Sequence, residues 1–132
     1  MNRSVTQHRR QLAAIMFTDI EGYSSLMQEN EERAIQWRTR HRETLESRHQ
    51  QFEGRIIQFY GDGTLSIFSS AVNAVACALA MQQAFQQQPA MPVRIGLHSG
   101  DIVFDEDQIF GDSVNVTSRI ESLGVAGSVL LS

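Results

Sequence analysis

The chain of 132 residues holds one cysteine, Cys77, so no intrachain disulfide can form. That fits a reducing compartment. Cys77 lies in the small-residue run from Ala71 to Ala80 and reads as a buried small side chain. No apolar run approaches the roughly 18 residues needed to span a bilayer. The N-terminus is polar and lacks the apolar stretch of a signal peptide. A cytoplasmic setting without membrane contact is therefore expected. Excess positive charge is also missing. The 11 Lys and Arg residues face 15 Asp and Glu, for a net charge of −4. No broad basic surface is implied, which argues against general nucleic-acid binding. Arg3, His8, Arg9 and Arg10 gather near the start and read as a solvated tail. No internal repeat or linker divides the chain.

What is present is an ordinary globular composition, 42% apolar and 20% charged, on a chain long enough for one real core. We expect a tail over 1–11 and a single domain over 12–132. Residues 12–19 read as a buried strand, since they are short and almost continuously apolar. Helical spacing follows over 22–29. It resumes from Glu31 to about Gln51, where Ala34, Trp37, His41 and Leu45 share one stripe. His41 on that stripe reads as a packed, hydrogen-bonded histidine. His49 has no ligand spacing to another candidate and reads as structural.

Gly54 stops that helix. Strands over 55–59 and 64–68 flank Tyr60-Gly61-Asp62-Gly63, and an Asp-Gly pair between β-rich runs signals a hairpin. Ser69 or Ser70 can cap a helix reaching about Gln88, with Ala71, Val75, Ala78, Leu79 and Phe85 as its packed stripe. Val93, Ile95 and Leu97 then alternate as a strand. Gly100 reads as a bend, and the strand continues over 102–104. Asp105-Glu106-Asp107 reads as a solvated loop. A last helix opens at Gly111-Asp112-Ser113, with Val116, Ile120 and Leu123 as its buried stripe. Asn115 and Arg119, four apart, project together from a neighbouring face. Ser128–Ser132 begins another strand. The pattern is α+β, an antiparallel sheet covered by helices on one face.

The chemistry centres on Phe17-Thr18-Asp19-Ile20-Glu21-Gly22-Tyr23-Ser24. A strand that delivers a carboxylate to its end, just before a helix start, can hold a hard cation beside an anion. If the hairpin neighbours that strand, Asp62 approaches Asp19. Two such carboxylates can hold a pair of divalent ions about 3.5–4 Å apart, the arrangement that supports phosphoryl transfer. Charge building on the phosphate oxygens then needs a cation, and Arg119 is the best candidate. Asn115 could orient a sugar.

Four stretches in order, the one around Asp19, then Gly61-Asp62-Gly63, then 93–100 from Val93 to Gly100, then 111–119 from Gly111 to Arg119, resemble the catalytic domain of class III adenylate and guanylate cyclases. The resemblance covers the chain from Arg10 to Ser132. It implies a ferredoxin-like, palm-type nucleotide cyclase fold acting as a head-to-tail homodimer. It implies a substrate of ATP or GTP, converted to the 3′,5′-cyclic nucleotide and pyrophosphate. By the same analogy Asp19 and Asp62, with the Ile20 carbonyl, hold two Mg²⁺ or Mn²⁺ ions. Backbone N–H groups of Ile20, Glu21, Gly22, Tyr23 and Ser24 cradle the phosphates. Asn115 and Arg119 come from the opposite subunit, Asn115 to place the ribose and Arg119 to neutralise the transition state.

The chain departs from the family pattern at the base. Family members read the purine with a lysine or glutamate at the place of Gln58 and an aspartate or similar residue at Gln108. A glutamine pair can meet either purine edge, and ATP, giving cyclic AMP, is slightly favoured. Family domains also continue into strands that carry a triphosphate-binding lysine. The chain reads as an N-terminal part of such a domain, incomplete at its C-terminal end. A cyclase-like dimerisation or nucleotide-binding module without turnover is the alternative reading.

Overall fold

In a computed structural model of the chain, residues 9–105 and 108–132 are described, apart from the side chain of Arg9. Strand β1 spans Arg9–Ile20, starting three residues before the expected strand. Residues 1–8 of the expected tail, and Glu106 and Asp107 of the expected acidic loop, lie outside the described residues. Helices α1 (Tyr23–Glu29) and α2 (Glu31–Gln51) follow. The hairpin is β2 (Arg55–Tyr60) and β3 (Gly63–Phe68), turning on Gly61 and Asp62 as expected. Then come α3 (Ala71–Phe85), β4 (Val93–Asp105), a short β5 (Gln108–Phe110) with no counterpart in the sequence reading, α4 (Asp112–Ser122) and β6 (Val129–Leu131).

The sheet runs β2-β3-β1-β4-β5, with β6 beside β4. All pairings are antiparallel except β4 with β6. This is the α+β, palm-type architecture expected from the sequence. β1 sits in the middle and is apolar on both sides because both sides are buried. Ala14, Met16 and Ile20 join one core with Ala34 and Leu45 of α2 and Cys77, Met81 and Phe85 of α3. Ala13 and Ile15 join a second core with Leu65, Ile67, Ile102 and Phe104, against which Val114 of α4 packs. Helices α2 and α3 thus cover one face as expected, whereas α4 lies on the other, where Gly96 has no side chain and lets the helix backbone settle on the sheet, so the helices are not confined to the single face expected from the sequence.

The capping chemistry follows the sequence. Asn30 caps α2 by accepting from Arg33 N–H at 3.1 Å, and Ser70 caps α3 by accepting from Asn73 N–H at 3.1 Å. Ala34, His41 and Leu45 are buried on α2 as expected, with Trp37 partly buried.

Two helices are rotated from their expected faces. On α3 the buried residues are Ala74, Cys77, Ala78, Met81, Gln82 and Phe85, while Leu79 is 55% exposed. On α4 the buried residues are Thr117 and Glu121, while Leu123 is 78% exposed. Apolar spacing misled in both cases because each buried face carries a polar residue with a specific task. The Gln82 amide donates to the carbonyls of Val93 and Ser128, both at 2.8 Å, tying α3 to β4 and β6. Glu121 sits beside an arginine of β4. Gly100, expected to bend the strand, lies within the continuous β4.

The seat of α4 is Gly96. A Cβ there would stand 2.5 Å from the Glu121 backbone nitrogen and 2.6 Å from its Cα. Backbone cannot yield as a side-chain tip can. Gly96→Ala should therefore push α4 off the sheet and lower stability by about 2 kcal/mol. Urea unfolding of the two chains checks this, and an unchanged midpoint would refute the close seating.

Candidate functional site

Asp19 is the next-to-last residue of β1, and in the antiparallel ladder its partner on β4 is Arg94. Directly paired residues share a face, so the two side chains meet on the face that α4 covers. Arg94 Nε donates to Asp19 Oδ1 at 2.8 Å and Nη2 donates to Oδ2 at 2.5 Å, a two-pronged ion pair. The hydrogen bonds and charge of Asp19 hold the Arg94 guanidinium firmly protonated.

Asp62 reaches the same place from the β2–β3 turn. Its Oδ2 accepts the Ile20 backbone N–H at 3.1 Å, one residue beyond Asp19. The approach depends on Gly63, since a Cβ there would be 2.8 Å from the Thr18 carbonyl oxygen. Burial pushes the Asp62 carboxyl above its usual range, the Ile20 N–H pulls it down, and the Asp19 charge adds a further upward push. The expected convergence of Asp19 and Asp62 is therefore what forms.

A third carboxyl, absent from the sequence reading, completes the cluster. Glu121 of α4 is 6% exposed, and its Oε2 lies 3.4 Å from Arg94 Nε. Burial first, and then the nearby Asp19 charge, raise its carboxyl well above the ordinary carboxylate range. No sequence pattern signals this residue, because its role depends on α4 lying across Gly96.

A divalent ion fits this donor set. Asp62 feels the charge of Asp19, and the cation that offsets it is Arg94. Among the described residues no group of three or more His, Cys, Asp or Glu side chains is arranged to hold a metal unaided. Two carboxylates completed by phosphate oxygens suit Mg²⁺, which takes few protein ligands.

The start of α1 is partly committed within the fold. The Ile20 N–H serves Asp62, and the Glu21 N–H donates to the Pro92 carbonyl at 2.8 Å. This narrows the expected phosphate cradle to the N–H groups of Gly22, Tyr23 and Ser24, which precede the first helical bond from Leu26 N–H to the Gly22 carbonyl. Gly22 itself takes the left-handed conformation, with φ 77°, that turns the chain from β1 into α1.

The remaining candidates stand apart from the aspartates. Asn115 and Arg119 are exposed on the side of α4 away from buried Thr117 and Glu121. Gln58 lies exposed on β2 and Gln108 exposed on β5, at opposite edges of the sheet with three strands between them. One chain does not bring either pair to Asp19 and Asp62.

Two buried histidines support the site from behind. His41 on α2 shares a hydrogen bond of 2.9 Å with Thr18 Oγ1, just before Asp19, and stacks on Phe85 with ring centres 5.9 Å apart. Burial, aided by the charge of Arg42, lowers its pKa from the ordinary 6.5 to about 4. His49 Nδ1 bonds the Leu45 carbonyl at 2.8 Å and its Nε2 bonds Ser66 Oγ at 2.7 Å. Both are structural, as expected. Cys77 is buried, with its thiol pushed up to about 12.

Residues 5–132 match the adenylate and guanylate cyclase catalytic domain family. A Rhizobium meliloti (strain 1021) protein named "Putative adenylate cyclase 3" is 42% identical over 132 residues, an overlap that takes in 94% of this chain and 22% of that protein. The chain thus spans only about a fifth of that relative's length. An adenylate/guanylate cyclase/hydrolase structure from Silicibacter pomeroyi superposes with TM-score 0.86 and 38% identity, covering 95% of this chain and 77% of that one. The adenylyl cyclase CyaB of P. aeruginosa gives TM-score 0.84 and 25% identity, covering 95% and 78%. No helix among the described residues is long and apolar enough to cross a membrane.

The buried His41 makes stability depend on pH. It stays neutral when folded down to about pH 4, whereas the unfolded chain protonates it near 6.5. The unfolded state therefore binds the extra proton first, and its contribution to stability, intact above pH 6.5, is lost as pH falls towards 4. The total is about 3 kcal/mol. Urea unfolding between pH 7.5 and 4.5 should show this loss, and His41→Gln should show a shallower slope. Equal slopes would refute the assignment.

Proposed function

This chain belongs to the adenylate and guanylate cyclase catalytic domain family, and we propose on that footing that it is one subunit of a metal-dependent nucleotidyl cyclase. The reaction joins the ribose 3′ oxygen to the α-phosphorus of a nucleoside triphosphate and breaks the bond to the leaving pyrophosphate. The observation that carries the proposal is the convergence of Asp19 and Asp62 through the Ile20 N–H, with Asn115 and Arg119 facing away on α4.

Asp19 and Asp62, helped by the Ile20 carbonyl, would hold two Mg²⁺ or Mn²⁺ ions. When bound, such ions acidify the 3′-hydroxyl and neutralise the triphosphate. The N–H groups of Gly22, Tyr23 and Ser24 take phosphate oxygens at the helix start. Asn115 and Arg119, too remote to serve their own chain's aspartates, act in the site of a second copy in a homodimer. There the Asn115 amide orients the ribose, and the Arg119 guanidinium meets the charge that develops on the phosphate. Gln58 and Gln108, at opposite sheet edges, meet across the same interface. Each can donate and accept, so the pair suits either purine, with ATP slightly ahead of GTP. A cytoplasmic location belongs to the same proposal.

A second reading, a nucleotide-binding module without turnover, draws on one observation. Arg94 already occupies both oxygens of Asp19. The two readings separate when the chain is incubated with ATP or GTP and Mn²⁺. Cyclic nucleotide and pyrophosphate support the enzyme. Binding without product from either nucleotide, by a confirmed dimer, supports the module.

In an active dimer, Asp62→Ala and Asn115→Ala should each lower the rate at least about 100-fold while the fold survives. Mixing the two variants should restore about a quarter of wild-type activity. Half of the dimers are then mixed, and each holds one intact site of two. No recovery on mixing would show that the halves of a site lie on one chain.

A further inference from the structure

The Arg94 guanidinium stands between two carboxylates on different elements. Its Nε is 2.8 Å from Asp19 Oδ1, to which it donates, and 3.4 Å from Glu121 Oε2. That Glu121 oxygen is buried and has no hydrogen-bond partner among the described residues. A buried carboxyl oxygen left unpaired is costly, and Arg94 Nε, 3.4 Å from it, is already bonded to Asp19. The Glu121 backbone is seated tightly on Gly96, where a Cβ would be 2.5 Å from its nitrogen. Arg94 has room to shift, since its side chain and that of Asp19 keep 25% and 24% of their exposure.

Resting on the metal reading of Asp19 and Asp62, we propose that Arg94 is a built-in counter-ion of that site, and that Glu121 is the acceptor to which its guanidinium moves when a divalent ion takes Asp19. Arg94 Nε and Nη2 occupy both Asp19 oxygens, so an ion can gain them only against that guanidinium. A cation beside a cation is repelled, and the repulsion falls as the separation grows. Nε stands only 3.4 Å from Glu121 Oε2, so about half an ångström of side-chain movement brings it to hydrogen-bond distance. That movement gives the orphaned Glu121 oxygen a donor at the same moment. Glu121 belongs to the helix that carries Asn115 and Arg119, so occupancy of one chain's aspartates alters what holds its α4. Arg94 and Glu121 are thus positioning residues.

Titrating the full chain with Mn²⁺, and reading free Mn²⁺ by electron paramagnetic resonance, tests this without reference to turnover. Arg94→Gln removes the competing charge and should bind Mn²⁺ about fivefold more tightly than wild type. Glu121→Gln removes the carboxyl that can ionise to receive the guanidinium and should bind about threefold more weakly. A purely structural role would weaken both or move neither. Mn²⁺ should also slow amide exchange in Asp112–Ser122 of wild type and leave that of Glu121→Gln unchanged. Arg94→Gln binding no more tightly than wild type overturns the proposal, as does Glu121→Gln binding as tightly as wild type. Absence of a Mn²⁺ effect on α4 in wild type removes the Glu121 transfer. Should Arg94→Gln fail to fold, as seen by circular dichroism, the Glu121→Gln titration decides by itself. A wild-type chain that binds no Mn²⁺ at all overturns the metal reading of the aspartates and this inference with it, a result distinct from the others.

Discussion

The long antiparallel ladder between β1 and β4 is the constraint from which the site follows. All 12 residues of β1 are paired with β4, from Arg9 opposite Phe104 to Ile20 opposite Val93. A slip of one residue would send every β1 side chain to the wrong face. Ala14, Met16 and Ile20 would leave the α2–α3 core, and Asp19 would turn into it. The apolar patterning on both faces forbids that slip, and so it also sets Asp19 opposite Arg94. The ion pair is a by-product of a register held by hydrophobic burial.

The hairpin brings its carboxylate to the same end by a second route. β3 pairs with β1, with Thr64 opposite Thr18, so the turn before Thr64 must lie near Asp19. Gly63 permits the contact, and the Ile20 N–H anchors Asp62 there. On the far side, Arg42 lies over the Phe59 ring at 4.7 Å, and its Nη2 reaches the Gly61 carbonyl at 3.5 Å. His41, its neighbour on α2, bonds Thr18. One turn of α2 thus braces both strands that carry the aspartates, which gives a charged site a rigid apolar backing.

Helix α4 faces two ways. Its inner side settles on Gly96 with Glu121 against Arg94, and its outer side presents Asn115 and Arg119. In the proposed dimer the inner side belongs to the chain's own aspartates and the outer side to those of its partner. The glutamines repeat that logic across the sheet, with Gln58 on one edge strand and Gln108 on the other.

Much of this was legible in the residue order. The strand into Asp19, the turn at Asp62, the cap at Ser70 and the family resemblance all rest on neighbours within a few positions, and local chain chemistry acts at that range. The buried faces of α3 and α4 were not legible. Apolar spacing points to Leu79 and Leu123, yet those are exposed, and the polar Gln82 and Glu121 are buried. Spacing ranks a residue by its own hydrophobicity. Burial of Gln82 depends on the Val93 and Ser128 carbonyls, 11 and 46 positions away, and burial of Glu121 depends on Arg94 and on the missing side chain of Gly96. By itself, then, the sequence determined which residues could carry the chemistry and the order of elements that hold them. Only the tertiary structure decided which carboxylates share one guanidinium, and that Asn115 and Arg119 turn away from Asp19. Those are relations between chain segments far apart in sequence, and they arise only when the sheet register and the seat of α4 are set.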